Sequence, residues 1–93
     1  MKALSIQVKG TVQGVFYRAS TRSKANELGL KGWCRNELDG SVLIHAEGEA
    51  QALEIMVAWC QQGPRHARVR SVDWVEVEIE GYEGFEIRRS SRL

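Results

Sequence analysis

The sequence predicts an α+β sandwich in which two helices cover one face of a four-stranded antiparallel sheet, in the order β-α-β-β-α-β. Three observations predict it. Leu4, Ile6 and Val8 alternate with Ser5, Gln7 and Lys9, and a period of two marks a strand with one buried face. Residues 18–28 and 49–62 instead carry apolar residues at helical spacing, and Gly29 and Gly63-Pro64 close them. Between the two helices, two short apolar runs flank Asp39-Gly40, the pattern of a hairpin.

Each element follows in turn. The first strand runs into a loop, Gly10 to Tyr17. From Arg18 to Leu28 nothing breaks a helix, and Thr21, Ala25 and Leu28 share a stripe before Gly29 stops it. Leu30 to Asn36 reads as the second strand. Ser41 to Glu47 reads as the third, with Val42, Ile44 and Ala46 on one face and Glu37 to Gly40 as the connection. Glu49 to Gln62 is the second helix. Ala50, Leu53, Met56, Val57 and Cys60 form its inner face, and Ile55 and Trp59 form a second stripe. In the fourth strand Val75, Val77 and Ile79 alternate with Glu76, Glu78 and Glu80, which predicts an acidic, solvated sheet face. Val72 and Trp74 have the opposite parity, so a bulge or strand start is expected near Asp73. Phe85 to Arg88 can add a short fifth strand at an edge. This order is the ferredoxin-like split β-α-β sandwich, which hosts many unrelated functions.

Ninety-three residues make one domain with a single core. A net charge of +1 excludes the strongly basic footprint of a general nucleic-acid binder. Basic residues do gather at Arg65, His66, Arg68 and Arg70, and at Arg88, Arg89 and Arg92; both groups read as solvated surface. No apolar run approaches the roughly 20 residues of a membrane span, and the N-terminus alternates like a strand rather than a signal peptide. A cytoplasmic protein without a membrane partner is expected. Cys34 and Cys60 form no Cys-x-x-Cys pair and fit small apolar thiols of a reducing compartment, with a single bridge between them left open. His45 and His66 do not pair with Cys, Asp or Glu at metal-ligand spacing, so no metal site is expected. Trp33 and Trp74 read as packing residues.

The chemistry-bearing segment is Val8 to Arg18: Val-Lys-Gly-Thr-Val-Gln-Gly-Val-Phe-Tyr-Arg. Two glycines allow the backbone to curl its N–H groups around an anion. The helix start adds unpaired N–H groups and the positive end of a dipole, and Arg18 adds a planar charged fork that fits phosphate oxygens. The loop is neither a Walker loop nor a Gly-x-Gly-x-x-Gly turn. On these residues alone, a phosphate cradle and an ordinary glycine-rich turn both remain open. Asn36, at the end of the second strand, has a carboxamide suited to holding a water, or it is a residue that opens the turn before Asp39-Gly40. Gly32 allows close approach of a neighbouring backbone.

Together these segments resemble the acylphosphatase family. Gly-Thr-Val-Gln-Gly-Val-Phe-Tyr-Arg is similar to its first signature, Gly-x-Val-Gln-Gly-Val-x-x-Arg. Residues 29–36, Gly-Leu-Lys-Gly-Trp-Cys-Arg-Asn, are similar to its second, with Cys34 at a position usually held by valine. The resemblance spans nearly the whole chain. It implies hydrolysis of the carboxyl–phosphate bond of small acyl phosphates by a monomer, without cofactor, metal or phosphoenzyme. It implies that Arg18 binds the phosphoryl group, that backbone N–H groups of Gln13, Gly14, Val15, Phe16, Tyr17 and Arg18 hold its oxygens, and that Asn36 orients the attacking water. The substrate's own phosphate then takes the proton. Inorganic phosphate or sulfate can occupy the same loop.

Two other readings use the same element order. An RNA-recognition domain requires aromatic residues on its central strands, and Leu4 to Lys9 and Ser41 to Glu47 contain no Phe, Tyr or Trp. An anion-binding module would hold phosphate in the loop without turning anything over.

Overall fold

The computed structural model describes residues 1–89; Arg92 lies outside them. The elements are β1 (Lys2–Thr11), α1 (Tyr17–Glu27), β2 (Lys31–Asn36), β3 (Val42–Gly48), α2 (Ala50–Gln62), β4 (Arg68–Val77) and β5 (Phe85–Ile87). They form a sheet in the spatial order β4-β1-β3-β2-β5. Four strands are antiparallel to their neighbours, while β5 runs parallel to β2, so the sheet is mixed. The ferredoxin-like arrangement forms as expected, with the short fifth strand added beside β2.

The alternation in β1 and β3 sets the middle of the sheet. Leu4 pairs with Ala46, Ile6 with Ile44 and Val8 with Val42, which puts one apolar row on the face that both helices cover. Tyr17 and Ala25 from α1 and Leu53, Met56, Val57 and Cys60 from α2 complete the core. Each buried aliphatic side chain contributes about 1.5–3 kcal/mol relative to exposure. The chain leaves β1, crosses the end of β3 and enters α1, which packs over β2 and β5. An equivalent crossing through α2 joins β3 to β4, passing over β1.

The fourth strand departs from the alternation read in its sequence. Val72 pairs with Val8 and Trp74 with Ile6, so this parity, with Glu76, faces the helices. Val75 pairs with Ser5 on the open face and is 62% exposed. The cause is a bulge nearer the strand's start than Asp73. Lys9 pairs with Ser71 and Gly10 with Val69, leaving Arg70 over. That extra residue turns both Val69 and Val72 toward the core. The strand stops at Val77, so Glu78 and Glu80 lie beyond it and no acidic sheet face forms. Trp74, expected to pack, is 49% exposed at the edge.

On the open face His45 and Glu47 are both buried, with His45 Nε2 2.7 Å from Glu47 Oε2. The histidine thus has the carboxylate neighbour that its spacing did not suggest. Glu47 also accepts the backbone N–H groups of Glu80, Gly81 and Tyr82 at 2.6, 3.0 and 3.4 Å. Those residues belong to the crossover that carries the chain from β4 to β5 at the opposite edge. Burial raises the carboxyl pKa, but these N–H groups and His45 more than offset it, leaving Glu47 below the usual range. Trp33 stacks on His45, with ring centroids 5.9 Å apart, and donates its indole N–H to the Tyr82 hydroxyl. The guanidinium groups of Arg35 and Arg88 lie over the Trp33 ring at 4.9 and 4.8 Å. Arg88 is therefore a stacked side chain, whereas Arg65, His66, Arg68 and Arg70 are exposed as expected. Gly32 does serve close approach: a Cβ there would lie 1.8 Å from the His45 carbonyl oxygen.

A Glu47→Gln variant should lose about 1–3 kcal/mol, the cost of leaving buried donors unpaired, measured as a fall in urea midpoint at neutral pH. Because the folded pKa is depressed, the Glu47 contribution is present above the ordinary carboxylate pKa and is lost as pH falls through the lower folded value. The variant should therefore lose stability less steeply than wild type below about pH 4.5.

Candidate active site

Val12 and Tyr17 are both buried, and the loop between them turns outward. Reversing within four residues requires positive φ at two of them, Gly14 (+75°) and Phe16 (+61°). Alternating backbone handedness of this kind points successive N–H groups into one concavity. Phe16 is also the residue preceding α1, and no side chain caps the helix there. The N–H groups of the first turn therefore remain available to an anion.

Tyr17 fixes where the helix begins. Its hydroxyl donates to the Cys60 carbonyl at 2.8 Å, and its ring lies 5.6 Å from that of Trp59. Burial pushes its phenol pKa well above the ordinary value, so it stays a neutral donor. Arg18 follows on the exposed side of the turn, and its Nη1 reaches the backbone carbonyl of Arg88 at 3.4 Å. Beneath it, the Cys34 thiol lies 3.7 Å from the Arg18 carbonyl. Burial, opposed by the nearby charges of Arg18 and Arg22, pushes that thiol pKa up to about 12. Cys34 is thus a packing group at neutral pH and not a nucleophile. Cys60, raised to about 12 by burial as well, is likewise an unbridged buried thiol.

Asn36 ends β2 although β3 separates that strand from β1. The crossing of α1 over the sheet brings the two together. A single cleft of about 260 Å³ is lined by Val12, Gly14, Phe16, Tyr17, Arg18, Ala19, Asn36 and Ile87. Asn36 Oδ1 is the one buried side-chain oxygen or nitrogen without a hydrogen-bond partner among the described residues. A wider groove of about 550 Å³ lies between α2 and β4, but Lys2, Glu54, Trp74 and Glu76 on its walls converge on no common point of chemistry.

Five of the expected site residues, Gly14, Phe16, Tyr17, Arg18 and Asn36, line the cleft. The side chains of Gln13 and Val15 point elsewhere. Val15 packs against the core. The Gln13 carboxamide turns away and donates to the carbonyls of Glu37 and Ser41, both at 2.9 Å. It thereby clamps the loop to the hairpin that carries Asn36. Asp39 stiffens that hairpin, accepting from the Ser41 N–H and hydroxyl at 2.9 and 2.6 Å. Sequence reading missed the clamp, Ile87 and the Arg88 carbonyl. The last two depend on β5 pairing in parallel with β2, which no local pattern announces.

The acylphosphatase family model matches residues 4–87. The chain belongs to the acylphosphatase family. An acylphosphatase of Methylococcus capsulatus is 49% identical over 81 residues, covering 87% of this chain and 88% of that one. The structure of an acylphosphatase from Coxiella burnetii superposes with a TM-score of 0.91 at 41% identity, covering 94% of this chain and 92% of that one. The acylphosphatase structure from Bacillus subtilis gives 0.92 at 35% identity, covering 95% and 99%.

Removing the clamp in Gln13→Ala should cost about 1–2 kcal/mol of stability. It should also reduce any rise in melting temperature measured on adding inorganic phosphate to wild type. Equal phosphate-induced shifts in the two proteins would show that the loop holds its shape without Gln13.

Proposed function

We propose that this acylphosphatase family member hydrolyses the carboxyl–phosphate bond of small acyl phosphates in the cleft between α1 and the end of β2, through direct attack of water. The observation that carries this reading is Asn36, whose Oδ1 is buried and unpaired and which lines the same cleft as Arg18 and the uncapped start of α1. An acceptor buried without a donor costs about 1–3 kcal/mol. A water that donates one hydrogen to it is oriented by that bond, with a lone pair free to attack.

In this mechanism the phosphoryl oxygens take hydrogen bonds from the N–H groups of Gln13 to Arg18 and from the Arg18 guanidinium. The charge spread over those oxygens in the transition state meets donors that are already in place. The water oxygen forms a bond to phosphorus as the bond from phosphorus to the carboxylate oxygen breaks. The carboxylate leaves with the bonding pair and needs no strong acid. The water's proton passes to a phosphate oxygen, because the Asn36 amide is too weak a base to keep it. Asn36 thus acts by orientation.

No metal has a part in this reading. Among the described residues no three of His, Cys, Asp and Glu are grouped to hold one. No helix among the described residues is long and apolar enough to cross a membrane. We further propose a single domain over residues 1–93 that works as a monomer in the cytoplasm, with both thiols reduced. One shared core and two unbridged, buried cysteines support this.

With a chelator present, wild type should hydrolyse benzoyl phosphate, and Arg18→Ala should lose about 10²–10³-fold in kcat/KM or more. Asn36→Ala should lower kcat more than it weakens inhibition by phosphate. Full activity in Asn36→Asp, with an anion facing the phosphate, would contradict the orienting role. A folded wild type that phosphate stabilises but that turns nothing over is instead an anion-binding module.

A further inference from the structure

Phe16 carries two costs, of which the fold explains only one. Its backbone sits at φ +61°, a region that bulky residues avoid and that glycine or asparagine enters far more readily. Its ring is also 80% exposed, the most exposed aromatic side chain among the large apolar residues of the described chain. The backbone cost has a cause, since the turn into α1 needs positive φ there. The ring does not follow from that cause, because a glycine would make the same turn with less strain and no exposed apolar surface.

The surroundings supply a reason. Phe16 stands on the wall of the phosphate cleft, and the other walls divide by chemistry. Arg18 and Asn36 are polar, while Val12, Ala19 and Ile87 are apolar. An acyl phosphate has the same division, with a charged phosphoryl end and an acyl end that emerges from the cradle. Isolated exposed apolar residues are common on protein surfaces. Here a strained backbone, an exposed ring and a place on the cleft wall coincide in one residue, and strain of this sort concentrates at functional sites.

We propose that the Phe16 ring is a platform for the acyl group, so that the enzyme favours acyl phosphates with aromatic or bulky apolar acyl groups over short ones. This rests on the hydrolytic reading above. Phe16 is then a specificity-determining residue that acts on the leaving part of the substrate, while its backbone serves the phosphoryl part.

The experiment compares kcat/KM for benzoyl phosphate and acetyl phosphate in wild type, Phe16→Ala, Phe16→Asn and Phe16→Tyr. The benzoyl-to-acetyl ratio should fall about tenfold in the alanine and asparagine variants, the size of one aromatic contact. Tyrosine, which keeps the ring, should hold the ratio within about twofold of wild type on the same contact argument. Asparagine tolerates positive φ, so its agreement with alanine would assign the effect to the ring and not to backbone strain. Equal losses on both substrates would overturn the platform and leave Phe16 a backbone role. A wild type that hydrolyses neither substrate, while phosphate still raises its melting temperature, would overturn the hydrolytic reading and the platform with it.

Discussion

Two buried anchors, Val12 and Tyr17, stand five positions apart, and the candidate site depends on that constraint. Both side chains are held in the core, so the four residues between them must leave it and return to it. Extended backbone cannot do this. The loop takes positive φ at Gly14 and Phe16, the alternation of handedness that can gather successive N–H groups into a concavity. The cradle is thus a consequence of core packing. Hydrophobic burial of Tyr17 and its hydrogen bond to the Cys60 carbonyl also fix the first turn of α1, and with it the direction of Arg18. A cradle built from backbone, as proposed here, would not require a basic protein to attract phosphate. A net charge of +1 suffices when the donors converge.

A second anchor, at the other end of the sheet, governs the remaining wall of the cleft. Glu47 gathers three N–H groups of the crossover, and the chain then enters β5 with the Gly32 N–H donating to the Gly84 carbonyl at 2.9 Å. Parallel pairing of β5 with β2 continues to the Arg88 N–H, which donates to the Cys34 carbonyl at 2.8 Å. Ile87 is thereby delivered to the cleft and the Arg88 carbonyl to Arg18. A buried carboxylate therefore acts on the site through strand register and not through its field. The parallel pair is short, and the pinned crossover holds its register together with the buried Phe85 and the stacking of Arg88 on Trp33.

Much of this was legible in the sequence because it is local. Period-two alternation in β1 and β3, helical stripes ending at glycine, and two signature segments placed the elements, Arg18 and Asn36. What stayed hidden was set by pairing between distant segments. The valine–glutamate alternation of β4 names two faces but not which is inside, and one extra residue at Arg70 decided it. His45 and Glu47 looked like ordinary open-face polar residues because their cover, Trp33 and residues 80–82, comes from elsewhere in the chain. The side chain of Gln13 was invisible for a related reason. Its partners are backbone carbonyls, which carry no sequence signal.

The departures from good packing chemistry are not scattered. Phe16 holds an unfavourable backbone angle, its ring is exposed, α1 begins without a capping side chain, and Asn36 Oδ1 is buried unpaired. All four meet in one cleft. Elsewhere buried polar groups find partners: Thr21 donates to the Tyr17 carbonyl, and the buried carboxylate of Glu47 is saturated. A sequence selected only to fold would relieve each departure by a single change, with glycine at 16 or an apolar residue at 36. Each instead leaves a group unsatisfied where a bound anion, a water or an acyl group would satisfy it. Local costs that a ligand would offset mark the places where function, not stability, chose the residue. By that criterion the cleft, and no other region of the described chain, was shaped for chemistry.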